Sequence, residues 1–291
     1  MQPRSDDDTA HNAAGMTVGE WVLYARRRLA EAGVESPALE AQMLAAHVLL
    51  VDRSRLIANP ELELSELAGE PLLQRRLSGE PLAYILGWRE FYGRRFEVGP
   101  GVLVPRHETE ILVEAALEFL PADSAAAVLD LGAGSGILAI TIKRERPRAV
   151  VTGSDISSQA LDVARRNALA LDADVRFVEG DLFAPVAAEK FDLIVCNPPY
   201  IANHELLPVE IGDFEPSGAL FAGDSGLEFY ERLAVEAGLH VPEDGRLMVE
   251  VGHLQGRAVS GIFESNGWSV ERVVKDLSGI DRVVVAQPLV V

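Results

Sequence analysis

Val128-Leu129-Asp130-Leu131-Gly132-Ala133-Gly134-Ser135-Gly136 is the stretch that decides the fold. An apolar strand runs straight into a loop with glycine at every second position, and a helical pattern follows from Ile137 to about Arg146. Glycines here allow a tight turn and let a ligand approach the backbone closely. The spacing is not the dinucleotide pattern, whose third glycine would fall where this chain has Ile137. Nor is it a P-loop, because no Gly-Lys-Ser/Thr follows.

Working outward, a second apolar run, Val150-Val151-Thr152-Gly153-Ser154, ends in Asp155. A carboxylate at that place can accept hydrogen bonds from both ribose hydroxyls of an adenosine. A third run, Val175-Arg176-Phe177-Val178, leads into Glu179-Gly180-Asp181-Leu182-Phe183, whose acid and apolar side chains can border an adenine ring. A fourth, Phe191-Asp192-Leu193-Ile194-Val195-Cys196, ends in Asn197-Pro198-Pro199-Tyr200. Each feature taken singly has a plain structural reading: a glycine-rich turn is often only a turn, and an acid after a strand is often a helix-cap residue. In this order, at the carboxyl ends of successive strands, they form a ligand site of an open parallel sheet.

The quartet suits the grip of a flat, neutral nitrogen group, such as an amide or a base amine. The Asn197 carbonyl can accept one N–H of that group. Prolines donate no backbone N–H and leave carbonyl acceptors on a stiff chain. The Tyr200 ring offers a face for stacking. With the glycine loop and Asp155 upstream, the residues read as the two halves of a methyl-transfer site, with the nature of the nitrogen left open.

The rest of the catalytic half continues the alternation. A helix is expected near Leu227–Leu239, a strand over Arg246–Val251, a helix over Leu254–Asn266, and closing strands near Trp268–Val273 and Arg282–Ala286. Alternation of this kind predicts an α/β fold, a parallel sheet wound on both faces. The last two strands lack a helix between them, so they form a hairpin and bring an antiparallel strand into the sheet.

The first hundred residues read differently. Thr17-Val18-Gly19-Glu20 has the form of a capping box before a helix carrying Trp21, Leu23 and Leu29. Ser36-Pro37 with Glu40 starts another, with Leu39, Met43, Leu44, Val48 and Leu49 on its apolar face. Asn59-Pro60 interrupts, and separate helices are expected from about Ser65 and over Pro71–Leu77. Phe96 and Val98, then Val102 and Val104, flank Gly99-Pro100-Gly101 and predict a β-hairpin. Arg75, Arg76, Arg89, Arg94, Arg95 and Arg106 fall around it, either as a basic cradle for an acidic or RNA-like partner or as charges offsetting nearby acids.

Composition limits the function. The chain has 291 residues, enough for two domains, and a net charge of −19. Residues 1–105 hold 11 basic and 15 acidic side chains, and residues 106–291 hold 15 and 30. The half with the site is the more acidic one, a poor footprint for gripping phosphate backbones. One cysteine, Cys196, excludes an internal disulfide framework and fits a reducing compartment. It sits in an apolar strand, which favours a small buried hydrophobe over a nucleophile. The six histidines show no metal-ligand spacing. No apolar run reaches membrane-spanning length, and the polar, acidic stretch from Met1 to Gly15 reads as a disordered lead.

The chain resembles the release factor glutamine methyltransferases, the PrmC/HemK family, from about Thr17 onward. The residues that carry the resemblance are Gly79-Glu80-Pro81-Leu82-Ala83-Tyr84-Ile85-Leu86-Gly87, Arg89-Glu90-Phe91-Tyr92-Gly93, and Val104-Pro105-Arg106-His107-Glu108-Thr109-Glu110. Beyond the glycine loop and the quartet they continue in Phe214-Glu215-Pro216, Glu250-Val251-Gly252 and Asp276-Leu277-Ser278-Gly279-Ile280-Asp281-Arg282. His107 stands where the family usually has proline.

The resemblance implies a Rossmann-like class I methyltransferase fold: a seven-stranded, mostly parallel sheet with one antiparallel strand, plus a small N-terminal helical domain and a β-hairpin linker. Its domains would be a helical substrate-recognition domain over 16–90, the hairpin linker over 91–105 and the catalytic domain over 106–291. It implies S-adenosylmethionine as co-substrate with no metal, held by Gly132, Ala133, Gly134, Ser135, Gly136, Asp155, Asp181, Leu182 and Asn197. The acceptor would be the glutamine of the Gly-Gly-Gln motif in class 1 peptide release factors. Asn197, Pro198 and Tyr200 would act in catalysis, and Pro199, Phe91, Arg106 and Glu108 would join them at the substrate. The expectation is a cytoplasmic monomer that modulates translation termination, without direct contact to nucleic acid or membrane. The residue-level alternative is amino-group methylation of adenine or guanine in RNA or DNA.

Overall fold

The structure, a computed structural model, describes residues 16–289. The expected disordered lead lies outside the described residues. The chain forms two compact units that divide between Leu86 and Gly87.

The first unit is built of short strands β1 (Met16–Thr17) and β2 (Glu63–Leu64), paired antiparallel, and helices α1 (Val18–Glu31), α2 (Pro37–Leu49), α3 (Arg53–Ala58), α4 (Glu66–Leu77) and α5 (Leu82–Leu86). The capping box at Thr17 is formed in both directions, with the Glu20 amide donating to Thr17 Oγ1 and the Thr17 amide to the Glu20 carboxylate. Trp21, Leu29, Leu44, Leu64 and Leu73 fill the core. Gly69 makes room for Trp21: a Cβ there would sit 2.6 Å from the indole ring.

Two expectations are corrected in this unit. The buried face of α2 is Ala41, Leu44 and Ala45, while Leu39 is exposed. Small residues on that face let α1 pack closely, which a count of large apolar side chains does not anticipate. The two helices expected after Ser65 are one, α4, with Pro71 inside it. Proline removes one i→i−4 bond, and here packing of the helix against its neighbours outweighs that loss. The short helices α3 and α5 were not anticipated.

The second unit opens with a hairpin, β3 (Trp88–Phe91) and β4 (Arg94–Glu97), paired Trp88 to Glu97 and Phe91 to Arg94. The turn is therefore Tyr92-Gly93, both in the left-handed region, and not the expected Gly99-Pro100-Gly101. Two positive-φ residues suit a two-residue turn whose twist matches the strands. Residues 99–105 form a loop instead, in which Val102 and Val104 are buried.

A 3-10 turn, His107–Thr109, leads into α6 (Glu110–Phe119). Then come β5 (Ala127–Leu131), α7 (Ile137–Glu145), β6 (Val150–Asp155), α8 (Ser158–Ala170), β7 (Val175–Glu179) and β8 (Leu193–Cys196). The short α9 (Val209–Gly212), α10 (Glu228–Glu236), β9 (Arg246–Glu250), α11 (Gly256–Ser265), β10 (Trp268–Lys275) and β11 (Asp281–Pro288) complete the chain. The seven strands order as β10-β11-β9-β8-β5-β6-β7. β11 pairs antiparallel with both neighbours, and the other sheet pairings are parallel.

Successive residues of one strand enter opposite cores. Val128 packs on one face and Leu129 on the other, as do Leu193 and Ile194, and Met248 and Val249. A sheet covered on both faces explains why these strands read as continuous apolar runs. The chain leaves β5 toward β6 and β7, then crosses back to β8 on the other side of β5. The carboxyl ends of β5 and β8 thus flank the switch point where open α/β sheets bind ligands.

Candidate active site

At that switch point a cavity of about 530 Å³ opens above the strand ends. The loop after β5 folds back on its neighbour, with the amides of Gly132 and Ala133 both donating to the Ser154 carbonyl at 2.8 and 2.9 Å. Gly132, Gly134 and Gly136 all have φ in the left-handed region, at 76°, 55° and 82°. A Cβ at Gly132 or Gly134 would meet nothing within 4 Å, so this backbone faces open cavity. At Gly136 a Cβ would lie 2.9 Å from Ile140 Cδ1, so that glycine serves the packing of α7.

Asp155 ends β6 at the cavity wall. Its Oδ2 accepts from the Gly134 amide at 2.8 Å and its Oδ1 from the Ser157 amide at 2.8 Å. Burial raises its pKa, and the amides of Ser157, Gly134 and Ile156 oppose that rise. Each carboxylate oxygen keeps acceptor capacity beyond the bond it makes. Asp181 and Leu182 also line the cavity, Leu182 buried and Asp181 paired with Arg232 at 2.7 Å.

Asn197, Pro198 and Pro199 form the opposite part of the lining. A second, smaller cavity of about 100 Å³ adjoins there. It shares Leu103, Arg106, Asn197, Pro198 and Ala219 with the first, and adds Tyr200, Ile201 and Ile211. Asn197 Nδ2 donates to Thr109 Oγ1 at 3.1 Å. Burial pushes the Tyr200 phenol up to about 12, so it stays protonated. Its carbonyl accepts from Gln255 Nε2 at 2.9 Å, which holds the chain after the quartet.

The roof of the site is tied by one buried acid. Glu215 accepts from the Val104 amide at 2.9 Å and pairs with Arg106 at 2.5 Å. Asn167 does the same beneath: it receives the Glu97 amide and donates to the carbonyls of Glu97 and Ser135, joining hairpin, α8 and glycine loop. Neither was among the expected site residues. A buried asparagine within the Ala- and Leu-rich α8 is the signal that marks Asn167.

Of the expected site residues, the structure gathers the glycine loop, Asp155, Asp181, Leu182, Arg106 and Asn197–Pro199 around the larger cavity, and Tyr200 at the smaller. Phe91 is not with them. It is 1% exposed, packs edge-on against Phe96 and lines neither cavity. Glu108 pairs with Arg282 at 3.5 Å and also lines neither. Thr109, Ile156, Phe229 and Arg232 line the larger cavity without having been anticipated. Four of the arginines pair with acids, Arg75 with Glu80, Arg76 with Glu40, Arg94 with Glu145 and Arg106 with Glu215, as the reading of them as offsetting charges expects, while Arg95 stacks on Trp88 and Arg89 meets His107. Cys196 is buried and its thiol is pushed up by burial, as befits a core residue.

Two buried carboxyls, Asp130 and Glu250, lie near the strand ends. Burial pushes Asp130 up to about 7, with the Ala139 amide opposing and the charge of Asp155 adding. Burial pushes Glu250 up to about 7, opposed by a hydrogen bond from Thr109 and by Arg282 and Arg106, and reinforced by Glu108. No cluster of metal-ligating side chains is present among the described residues. No helix among them is long and apolar enough to cross a membrane.

Matching family models and named relatives place the chain among the S-adenosylmethionine-dependent methyltransferases. A solved methyltransferase from Pyrococcus furiosus shares the fold, with a TM-score of 0.52 at 19% identity over 68% of this chain and 91% of its own. The family model for the methyltransferase small domain matches residues 107–210, and that for the PrmC N-terminal domain matches residues 20–87. Release factor glutamine methyltransferases from Geobacter sulfurreducens and Neisseria gonorrhoeae are 43% and 44% identical, covering 92% of this chain and 95% and 96% of their own. The chain belongs to the release factor glutamine methyltransferase family.

Proposed function

We propose that this protein transfers the methyl group of S-adenosylmethionine to the side-chain amide nitrogen of the glutamine in the Gly-Gly-Gln motif of class 1 peptide release factors. The observation that carries the reading is the junction of the two cavities at Asn197 and Pro198, one chamber sized for a nucleoside-containing donor and the other for a single side chain. The relatives that span nearly the whole chain supply the acceptor's identity.

The donor fits the residues present. Open backbone at Gly132 and Gly134 admits the body of the molecule, Asp155 offers acceptors to the ribose, and Ile156 and Leu182 offer apolar surface to the base. When bound, it supplies an electrophilic methyl on a sulfonium. An amide nitrogen is a weak nucleophile, because its lone pair is delocalised into the carbonyl. The protein therefore acts mainly by positioning. Asn197 Oδ1 and the Pro198 carbonyl accept hydrogen bonds from the two amide N–H groups, which raises electron density on nitrogen and stabilises the positive charge that develops there, and one of the N–H protons is lost to water after the methyl is transferred. Tyr200 walls the acceptor side chain, Pro199 lines the donor chamber beside it, and Arg106, fixed by Glu215, borders both chambers. The helical unit is assigned to recognition of the factor.

Labelled donor offered separately with a class 1 release factor, ribosomal RNA, transfer RNA and DNA tests the reading. Label on the factor is expected; label on nucleic acid alone would reverse it.

A further inference from the structure

Thr109 is fully buried at the end of the 3-10 turn before α6, and its hydroxyl meets Asn197. It caps no helix through its side chain. An asparagine amide has an accepting end and a donating end. The end that meets Thr109 decides which end is left for a ligand. The acceptor read above presents two N–H donors, so only the oxygen of Asn197 can serve it.

A threonine hydroxyl alone does not settle this choice, since it can donate or accept. The contact itself settles it: the group that meets the Thr109 hydroxyl is the Asn197 Nδ2 end. Glu250, buried at the carboxyl end of β9, favours the same arrangement, because its ionised carboxylate could only accept the Thr109 proton. The Thr109 lone pairs then face Asn197 and admit only its NH2 end, as the 3.1 Å contact from Nδ2 records. The reverse orientation would set an NH2 against the substrate's own N–H groups.

We propose that Thr109 is a positioning residue of the methyl transfer, holding the Asn197 amide with its oxygen toward the acceptor nitrogen. The inference rests on the reading of the acceptor as a planar amide. A misdirected acceptor group in a positioning-driven reaction lowers turnover by about 10–100-fold.

The test is steady-state kinetics on release factor with Thr109→Val, Thr109→Ser and Glu250→Gln, alongside donor titration and thermal melts. Thr109→Val should lower kcat about 10–100-fold with donor Kd unchanged, and Thr109→Ser should restore most of it. Glu250→Gln, whose amide no longer dictates the direction of the chain, should also lower kcat at unchanged donor Kd, and serves if the valine variant does not fold. Undiminished kcat in the folded variants would overturn the positioning role, as would loss of kcat and donor affinity in step. Absence of label on the factor with the unaltered protein would overturn the reading of the substrate, and the positioning role with it.

Discussion

The Gly134 amide donates to Asp155 Oδ2 at 2.8 Å, so the tip of the glycine loop and the acid ending β6 form one rigid wall of the donor cavity. Removing the carboxylate affects both the wall and the ribose contacts proposed for it. Asp155→Ala is expected to weaken donor binding by about 10–100-fold, since hydrogen bonds to a charged group contribute about 1.5–3 kcal/mol. Calorimetric titration of the donor checks it. Turnover at saturating donor should fall much less than affinity.

Two glycines of the loop should fail in different ways. Gly136→Ala adds a Cβ 2.9 Å from Ile140 Cδ1 and 3.1 Å from Ala164 at a φ of 82°. A loss of about 1–3 kcal/mol of stability is expected, read as a lower melting temperature. Gly132→Ala meets no atom within 4 Å, so its added methyl intrudes on the cavity rather than the core. Its larger effect should be on donor Kd.

Asp130 should make stability fall with rising pH. Its folded pKa is about 7 against an ordinary 3.8. Below the ordinary value both folded and unfolded chains carry the proton. Between the two values the unfolded chain ionises first, so stability declines as pH rises toward about 7 and is flat above it. Asp130→Asn can still accept from the Ala139 amide and removes this decline. Denaturant unfolding of both proteins from acidic to neutral pH should show their difference growing across that window.

Turnover should carry an acid limb set by Glu250. Its carboxyl titrates at about 7, between Arg106 and Arg282, which favour the charged form, and Glu108, which opposes it. Tyr200, Tyr230 and Cys196 nearby are raised and stay protonated there. Ionised Glu250 favours a Thr109 hydroxyl turned away from Asn197, so kcat at saturating donor should rise as pH increases through that region. In Thr109→Val the limb should vanish. A limb of the same shape in the variant would assign it to another group.

The sheet was legible because its strands are buried on both faces and read as unbroken apolar runs, each stopped by a glycine, an acid or Asn197. The donor loop was legible because positive φ demands glycine. The hairpin was misplaced because Tyr92 adopts a positive φ that its residue type does not advertise, while Gly99-Pro100-Gly101 advertises a turn it does not make. Thr109, Asn167, Glu215 and Arg232 were illegible as site residues for a common reason. Their roles are fixed by partners distant in sequence, such as Asn197 for Thr109 and Val104 for Glu215. Phe91 went astray in the opposite sense, an aromatic beside the site in sequence that the fold spends on the core.

The most direct test of the account is fragmentation mass spectrometry of a class 1 release factor after incubation with this protein and S-adenosylmethionine. The account predicts one added methyl on the side chain of the Gly-Gly-Gln glutamine, and none when the protein carries Asn197→Ala with donor binding intact. A methyl on any other residue, or an Asn197→Ala protein that modifies the glutamine as fast as the unaltered one, would contradict it.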